Sequence, residues 1–331
     1  MRWMRFTIRP LTAFGSQIRG DTLFGQLCWA ARERFGPERL EAWLDGYTEG
    51  RPFLVVSDGF PADHLPRPQV PLARIGIKVE PERRKSFKRR AFIPQAWVAD
   101  APDIAATFRR MAGDDGGAEK PWEEAVHLHN SISRITATTG GDFAPYGLKE
   151  WVAKTERFDI HAVFDETRFG EDDLTRLFED VGRIGYGRDA STGLGKFQVI
   201  DQAGERPAGQ AGGGSWLTLA PCAPQGGAWR VRDCFYQPFT RFGRHGSIAA
   251  VGPNPFKRPI LLADTGAVLT PRDFDEAQLF AGRGLGGTAS PISLDEAFAA
   301  TVHQGYAPVV PVRLPRGSEE PLASRREETV S

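Results

Sequence analysis

A glycine-rich segment at residues 182–197 has the composition of a loop that approaches phosphate groups. It reads Gly-Arg-Ile-Gly-Tyr-Gly-Arg-Asp-Ala-Ser-Thr-Gly-Leu-Gly-Lys-Phe, with five glycines among sixteen residues. Glycine lacks the Cβ atom that restricts backbone geometry, so backbone N–H groups in such a segment can reach an anion. Its other polar side chains are cationic or carry hydroxyl groups: Arg183, Arg188, Ser191, Thr192 and Lys196. The pattern favours contact with a sugar-phosphate backbone, and a long helix-to-strand turn is the alternative.

Two nucleotide-binding motifs do not fit this segment. A P-loop counted back from Gly195-Lys196 has Ala190 where glycine is required and Phe197 where a hydroxyl is required. The dinucleotide fingerprint needs a loop that leaves a strand and opens a helix, whereas this segment follows a predicted helix and precedes a predicted strand.

A basic run at residues 83–90 is the second candidate for nucleic-acid contact. It reads Arg-Arg-Lys-Ser-Phe-Lys-Arg-Arg, with six cations, and Phe87 among them can stack on a base. A solvated surface explains such a run equally well. A weaker excess of positive charge follows at residues 229–258, with Arg241, Arg244 and Arg258 among its cations.

Histidines are the residues most open to a catalytic interpretation. His127 and His129 alternate on a predicted strand and share a face, but no acidic or cysteine partner stands at ligand spacing. A lone general-base histidine is the alternative. The sequence therefore predicts no catalytic residue, no metal site and no cofactor.

The predicted elements follow the order strand, helix, strand, strand, helix, strand. Residues 4–9 alternate as a half-buried strand, and Asp21 is placed as the N-cap of a helix that ends at Gly36-Pro37. Further strands are predicted at 52–57, 126–136, 157–164 and 196–200, and helices at 101–111 and 171–182. The strands at 126–136 and 157–164 flank a turn-rich segment, as in a long hairpin. The overall order is that of a split βαβ, or ferredoxin-like, arrangement.

Composition excludes several classes of protein. The 331 residues include 42 basic and 42 acidic side chains, which argues against a free-standing nucleic-acid binder. The three cysteines are odd in number and widely spaced, so neither a disulfide framework nor a zinc site is predicted. Because the sequence has no long apolar stretch, we expect a cytoplasmic, reduced protein without membrane contact.

The domain organisation follows from one polar, glycine-rich stretch. Residues 203–215 are predicted as a linker or flexible loop, and a second set of elements begins at Trp216. We predict an α+β protein with two tandem ferredoxin-like (RRM-like) domains, at 1–202 and 216–314, and a disordered tail at 315–331. A basic loop and a projecting β-hairpin are inserted in the first domain.

Four segments together resemble the RAMP superfamily of CRISPR proteins, and most closely the fourth-subunit family of the type III-A Csm complex. They are Ile18–Ala30, with its Gly-Asp-Thr-Leu-Phe-Gly core; Asn130–Gly140; the glycine-rich segment Gly185–Phe197; and Lys257–Leu269 with His303–Val312. Ser133 stands where that family usually has aspartate. The resemblance spans residues 5 to about 313.

The resemblance implies a non-catalytic, prokaryotic subunit that binds the 5′ handle of the crRNA. Its implied partners are the large multidomain subunit and the backbone subunits, and it meets target RNA only indirectly. Base pairing then selects the target, so the protein reads RNA shape and phosphates. Two alternatives stay open: a RAMP endoribonuclease that processes precursor crRNA, and the equivalent end-cap subunit of a Cmr-type complex.

Together, the residue patterns and the resemblance give a set of predicted RNA contacts. They are Arg19, Asp21, Arg83, Arg84, Lys85, Lys88, Arg89, Arg90, Arg134, Thr136, Thr139, Gly185, Gly187, Arg188, Ser191, Gly193, Gly195, Lys196, Arg241, Arg244 and Arg258. Phe143 and Tyr146 are predicted at the tip of a thumb-like hairpin, where they wedge against RNA or a neighbouring subunit. Packing of both side chains on the sheet of the first domain is the alternative.

Overall fold

The protein contains both helices and sheets, in agreement with the α+β class predicted from the sequence. A computed structural model describes residues 1–113, 120–130, 132, 134, 139, 144–252 and 254–315. The helices are α1 (Gly20–Phe35), α2 (Pro37–Leu44), α3 (Arg84–Arg89), α4 (Gln95–Asp100), α5 (Ile104–Gly113) and α6 (Glu171–Ile184).

Seventeen strands, most of them short, complete the described elements. In the first half they are β1 (Arg2–Pro10), β2 (Leu54–Val56), β3 (Phe60–Pro61), β4 (His64–Pro66), β5 (Phe92–Pro94), β6 (Trp122–His129), β7 (Tyr146–Ala153), β8 (Phe158–Phe164) and β9 (Phe197–Ala203). In the second half they are β10 (Ser215–Thr218), β11 (Pro238–Arg241), β12 (Ile260–Ala263), β13 (Val268–Leu269), β14 (Phe280–Gly282), β15 (Leu285–Gly286), β16 (Val302–His303) and β17 (Tyr306–Val312).

Strand β1 lies in the middle of the first sheet, whose order is β2-β8-β1-β9. Both neighbours of β1 are antiparallel to it, with Phe6 opposite Ile160 on one side and Gln202 on the other. Strand β3 also pairs with β8. The connection β1-α1-β2, then β8-α6-β9, follows the split βαβ arrangement that the sequence predicts for the first half.

The alternation in β1 correctly predicts a strand, but both of its faces are covered. Phe6 stacks on Phe178 of α6, with ring centroids 4.1 Å apart. On the other face, the Thr7 hydroxyl donates to the buried Asp159 carboxylate at 2.6 Å. Strand β8 is buried along its whole length, because elements of the second half, β17 among them, also pack against it.

Helix α1 begins two residues earlier than predicted, and Asp21 is not its N-cap. The helix starts at Gly20, the extended residue before it is Arg19, and Asp21 lies in the first turn. The carboxylate of Asp21 is instead directed to an arginine in the second half of the chain. The predicted end at Gly36 is confirmed, since Gly36 has a φ of 88° and α2 starts at Pro37.

The predicted hairpin has a different pair of strands. Strand β6 pairs with β7 over eight residues, from Trp122 opposite Ala153 to His129 opposite Tyr146. Strand β8, which the sequence suggests as the returning strand, lies in the first sheet instead. Alternation predicts that a segment is a strand but not which strand it pairs with, so this pairing was wrong.

The second half contains a four-stranded antiparallel sheet, with the order β13-β10-β17-β14. Two separate ribbons accompany it, β11 with β12 and β15 with β16. Within 215–252 and 254–315, the helical residues form only short 3₁₀ turns, whereas a ferredoxin-like domain carries two α-helices. One hydrophobic core includes side chains of both halves, for example Phe24, Tyr47, Tyr306 and Val310.

The stretch between the two halves is held by contacts with both. The buried Gln210 side chain donates to Thr107 of α5 at 3.2 Å and accepts from the Arg313 backbone at 2.7 Å. The Arg206 guanidinium donates to the Val309 carbonyl at 2.8 Å. Residues 204–214 are therefore packed in this structure, although their composition is that of a linker.

Candidate RNA interface

The glycine-rich segment forms a loop that closes on itself between α6 and β9. Gly185, Gly187, Gly193 and Gly195 all have positive φ, between 74° and 117°. The Tyr186 backbone N–H donates to the Gly195 carbonyl at 2.8 Å and joins the two ends of the loop. A Cβ atom on Gly195 would lie 2.0 Å from the Tyr186 carbonyl oxygen, so this closure requires glycine.

The loop is seated on residues 11–19, which connect β1 to α1. The Gly195 N–H donates to the Ala13 carbonyl at 2.8 Å, and the Gly187 N–H donates to the Gln26 side chain at 3.2 Å. The buried Tyr186 hydroxyl donates to the Gln17 carbonyl at 3.1 Å and accepts from the Arg19 N–H at 2.8 Å. Several backbone amides of the loop are therefore used inside the protein.

The outer part of the loop presents its polar side chains to solvent. Ser191, Thr192 and Lys196 are exposed, and a Cβ atom on Gly193 would meet nothing within 4 Å. Gly185, by contrast, is buried, and a Cβ atom there would lie 2.3 Å from the Leu194 carbonyl oxygen. The segment 191–193 and Lys196 are therefore open to solvent, as are the side chains of Arg183 and Arg188.

Arg188 joins three segments at this surface. Its guanidinium donates to the Gly15 carbonyl at 3.1 Å and to the Lys149 carbonyl of β7, and it pairs with Asp189 at 2.9 Å. A second connection, between Phe14 and Trp151, bonds the backbone of residues 11–19 to β7. The hairpin and the glycine-rich loop are thus positioned by the same short segment.

Three of the predicted RNA contacts lie in an ion-pair network between the two halves. Arg19 pairs with Asp58 at 2.9 Å and with Asp264 at 2.7 Å. Asp21 accepts two hydrogen bonds from Arg241, at 2.6 and 2.9 Å. The Asp58 carboxylate raises the pKa of Arg19 above its ordinary value. Burial raises the pKa of Asp58, because the loss of water outweighs the attraction of Arg19.

Asp21 is the most deeply buried charge of this network. Burial alone would raise the pKa of its carboxyl, but the ring of His303 and the guanidinium of Arg241 together lower it below its ordinary value. Burial lowers the pKa of His303, whose Nε2 atom lies 3.4 Å from Asp21, so Arg241 supplies the compensating charge. The side chain of Asp21 has no exposed surface, so the prediction that it contacts RNA is wrong.

The basic run forms α3 and the turn before it, and its members differ in their surroundings. Arg83 donates to the Ala112 and Gly113 carbonyls, Arg84 to the Val79 carbonyl, and the buried Arg90 to the Met111 carbonyl. Among the described residues, the exposed side chains of Lys85, Lys88 and Arg89 have no hydrogen-bond or ion-pair partner.

Phe87 belongs to the core rather than to this surface. Its ring is 3% exposed, packs against Phe108 and lies under the Arg67 guanidinium, 4.6 Å from its centroid. The prediction that it stacks on a base is therefore wrong. The composition of a short charged run does not show that one face of the helix is buried.

Strands β6 and β7 carry exposed apolar and aromatic side chains far from their buried end. Leu128 is 75% exposed and Val126 is 58% exposed, while Trp122 at the other end packs on Phe14 and Phe158. The opposite face carries a ladder of rings in which His127 lies 5.1 Å from His129, and His129 lies 5.4 Å from Tyr146. The hairpin is thus anchored at its Trp122 end. Toward its other end, the described residues carry exposed apolar side chains.

The remaining predicted contacts differ in how far the structure describes them. Thr136 and Phe143 lie outside the described residues. Arg134, Thr139 and Arg258 are exposed. Arg244 is also exposed, donates to the Ala250 carbonyl at 2.9 Å and lies over the Phe256 ring.

Four of the six histidines serve the fold. His161 is buried beside Trp3, where burial, with a smaller contribution from Arg5, lowers its pKa to about 3. His303 faces Asp21, His245 lies 2.9 Å from the Ser293 hydroxyl, and His64 lies 2.8 Å from the Ala62 carbonyl. In the part of the chain that the structure describes, no group of three or more His, Cys, Asp or Glu side chains is placed to hold a metal ion.

Comparison with known proteins gives matches in structure alone. No protein-family model and no curated protein matches the sequence. A chain of the Csm1-Csm4 cassette in complex with pppApA superposes with a TM-score of 0.56 at 16% identity, over 96% of this chain and 100% of that one. A chain of the Csm3-Csm4 subcomplex of the type III-A CRISPR-Cas interference complex gives 0.53 at 13%, over 95% and 100%.

These likenesses extend over nearly the whole chain. The chain therefore has the fold of the chains matched in these two CRISPR-Cas assemblies. The resemblance that the sequence motifs indicate is thereby confirmed at the level of fold, and Csm4 is the subunit common to both complexes.

We expect Leu128→Ser to leave the free energy of unfolding within about 0.5 kcal/mol of wild type, because the side chain is already exposed. If the hairpin docks on RNA or a neighbouring subunit, the same change weakens that association. Thermal melting of the isolated protein and the yield of assembled complex measure the two effects. Strong destabilisation of the isolated protein would show that Leu128 packs on its own fold.

We expect the triple change of Lys85, Lys88 and Arg89 to alanine to reduce the salt dependence of RNA binding. Each phosphate contact to a single strand contributes about 0.7 to the slope of log K against log salt concentration, so the slope falls by about 2. Arg39, Arg51 and Arg176 are the control set, because each already lies within 4 Å of a carboxylate. An unchanged slope would mean that α3 is only a solvated surface.

The residues that complete the ion-pair network were not predicted from the sequence. Asp58 and Asp264 lie 39 and 245 positions from their partner Arg19 in the sequence. His303 lies 282 positions from its partner Asp21. No local spacing connects residues so far apart. The one available signal was the motif Gly20-Asp-Thr-Leu-Phe, which points to α1 but not to the partner of its carboxylate.

Proposed function

We propose that this chain is a non-catalytic subunit of a type III CRISPR RNA-guided effector complex. In this role it holds the 5′ handle of the crRNA and caps the complex next to the large subunit, as part of antiviral defence. The observation that carries the proposal is the likeness of nearly the whole chain to chains of two assemblies that both contain Csm4. As a CRISPR effector subunit it would act in the prokaryotic cytoplasm.

The RNA surface we propose centres on the outer part of the glycine-rich loop. Ser191, Thr192 and Lys196 supply hydroxyl and ammonium donors beside an open glycine, an arrangement suited to phosphate oxygens. The cations of α3 extend this proposed surface, as do Arg134, Thr139, Arg244 and Arg258. Gly185, Gly187, Gly195, Arg19 and Arg241 support it from beneath by fixing the loop and joining the two halves, and the exposed Arg188 lies at its edge beside β7.

The absence of catalysis is part of the proposal. His161, His245 and His303 are buried or partnered within the protein, which leaves His127 and His129 on the hairpin as the histidines most open to RNA. The His127 ring lies 5.1 Å from His129 in a tilted arrangement, His129 stacks on Tyr146, and the nearest carboxylate, Glu150, lies 3.8 Å from His127. A stacked pair suits contact with bases better than proton transfer.

We also propose that the chain consists of two modules, 1–202 and 216–314, joined by 203–215 and followed by the tail 315–331. The first module has a five-stranded and the second a four-stranded antiparallel sheet, and in each the last strand lies beside the first, β9 beside β1 and β17 beside β10. The second module would then be a ferredoxin-like domain whose helices have been replaced by 3₁₀ turns. Within the described residues, no helix has the length and apolar character needed to cross a membrane.

Co-expression with the large subunit, a backbone subunit and a repeat-spacer RNA tests the proposal. We expect the chain to purify with these subunits and with RNA whose 5′ end is the repeat-derived handle. Incubation of the isolated chain with repeat RNA, without metal, should leave the RNA intact.

Two results would favour the alternatives. Specific metal-independent cleavage that disappears in His127→Ala or His129→Ala would identify a processing endoribonuclease. Assembly with Cmr-type but not Csm-type subunits would identify the corresponding end cap of that complex.

A further inference from the structure

The ribbon of β11 and β12 has one face that covers the ion-pair network and one that faces solvent. On the inner face, the Phe239 ring lies under the guanidinium groups of Arg19 and Arg241, at 5.8 and 5.1 Å. Because side chains alternate along a strand, the residues on either side of Phe239 point outward. Thr240 opposite Leu261 occupies that outer face, and Phe242 follows two residues later on the same side.

The outer face is apolar and continues into a groove. Phe242 is 77% exposed, and Leu261 is 56% exposed. The groove has a volume of about 720 Å³, and Leu261 is part of its wall. We define the apolar strip as Phe242 together with five residues that line this groove, namely Trp229, Val231, Tyr236, Pro238 and Leu261. Contiguous exposed apolar surface of this kind marks interaction sites in soluble proteins.

The chain segment that carries the apolar strip is rich in cations, although the chain as a whole is neutral. Residues 216–263 contain six arginines and lysines, of which Arg241 is paired with Asp21, and a single carboxylate, Asp233. That carboxylate is paired with Arg74 at 3.1 Å. Arg232 and Arg258 are exposed, and within the described residues their side chains have no hydrogen-bond or ion-pair partner. Arg283 borders the groove at Gly226.

We propose that the apolar strip binds an acidic protein segment that carries bulky apolar side chains. The apolar side chains of the segment fill the groove, and its carboxylates meet the arginines at the rim. A second copy of the chain would bring the same arginines together, and like charges at an interface oppose association. An RNA base would bury polar edges against Val231, Pro238 and Leu261, which offer no hydrogen bonds. The proposal does not depend on the function proposed above.

Selection from a displayed library of random 12-residue peptides on the immobilised full-length chain tests the proposal. The counter-selection target is the double variant Phe242→Ser with Leu261→Ser, whose replaced side chains are exposed and whose folding is verified by its melting temperature. We expect the enriched peptides to combine glutamate or aspartate with leucine, phenylalanine or tryptophan. They should bind the double variant at least tenfold more weakly.

Two further variants make the test specific. Arg232→Glu with Arg283→Glu, two exposed arginines of which the second borders the groove, should weaken the acidic peptides at least tenfold and favour basic ones. Ile248→Ser with Val251→Ser, two exposed apolar residues outside the strip, should change nothing. The proposal is overturned if the enriched peptides are basic, or if no enriched peptide depends on the strip. It is also overturned if Phe242→Ser with Leu261→Ser abolishes self-association of the chain or binding of a single-stranded RNA oligonucleotide.

Discussion

Asp21→Asn is expected to lower the free energy of unfolding by about 3–5 kcal/mol, because it leaves the guanidinium of Arg241 without its buried counter-charge. The carboxylate accepts two hydrogen bonds from Arg241, at 2.6 and 2.9 Å, and has no exposed surface. Since the pair joins residues 21 and 241, the loss also weakens contact between the two halves. Urea unfolding followed by tryptophan fluorescence measures the change.

The loss of unfolding free energy caused by Asp21→Asn should become smaller at low pH. The pKa of Asp21 is lower in the folded protein than its ordinary value of 3.8. A carboxylate with a lowered pKa stabilises the fold above the unfolded pKa, and this stabilisation is lost as the pH falls through the folded pKa. The difference between wild type and variant should therefore be constant above about pH 5 and shrink below pH 4.

Asp201→Asn is the matched control for Asp21→Asn. Asp201 pairs with Arg5 at 2.9 Å, but its side chain is 59% exposed, and exposed pairs contribute about 0–1 kcal/mol. Replacing both Asp21 and Arg241 by neutral residues should recover part of the stability that the single variant loses. If Asp21→Asn costs no more than Asp201→Asn, the buried pair does not hold the halves together.

Gly193→Val is expected to release crRNA from the assembled complex while the protein itself stays folded. Gly193 has a φ of 99°, so valine pays about 1–2 kcal/mol for the left-handed backbone, but its Cβ atom meets no neighbour. The side chain then stands on the surface that we propose for phosphate. Retained crRNA should fall at least about tenfold, equivalent to about 1.4 kcal/mol.

Two other glycines separate RNA contact from folding. Gly50 has a φ of 88° and equally open surroundings, so Gly50→Val carries the same backbone penalty away from the loop and should retain crRNA. Gly195→Val should destabilise the isolated protein by at least about 2 kcal/mol, because valine collides with the Tyr186 carbonyl. Normal crRNA content in a folded Gly193→Val complex would show that the loop does not bind the guide.

Local sequence patterns correctly predicted the elements that are determined by neighbouring residues. The alternation of Met4, Phe6 and Ile8 marked β1, and Leu174, Leu177 and Phe178 marked the buried face of α6. The glycine-rich composition marked a loop with positive φ. Each of these features depends on residues that are close together in the sequence, so the sequence alone is enough to predict it.

Features that depend on distant residues were not predicted. Asp21 suits an N-cap by type and position, yet it lies inside the first turn, where its carboxylate pairs with the distant Arg241. The strands flanking the turn-rich segment 136–142 were paired wrongly, because β7 was not recognised as a strand. In the second half, the short strands of the main sheet pair with strands that are distant in the sequence, so propensity gives little guidance there.

The central position of β1 has a consequence for biosynthesis. Its two hydrogen-bonding partners are β8 and β9, which begin at residues 158 and 197. At roughly 5–20 residues per second, about 7–30 s of translation separate β1 from the first of them. During this time Trp3, Met4, Phe6 and Ile8 leave the ribosome in a segment with two open edges. The nascent chain therefore presents an early and persistent site for chaperones, and its first strand enters the sheet only after about half of the polypeptide has been made.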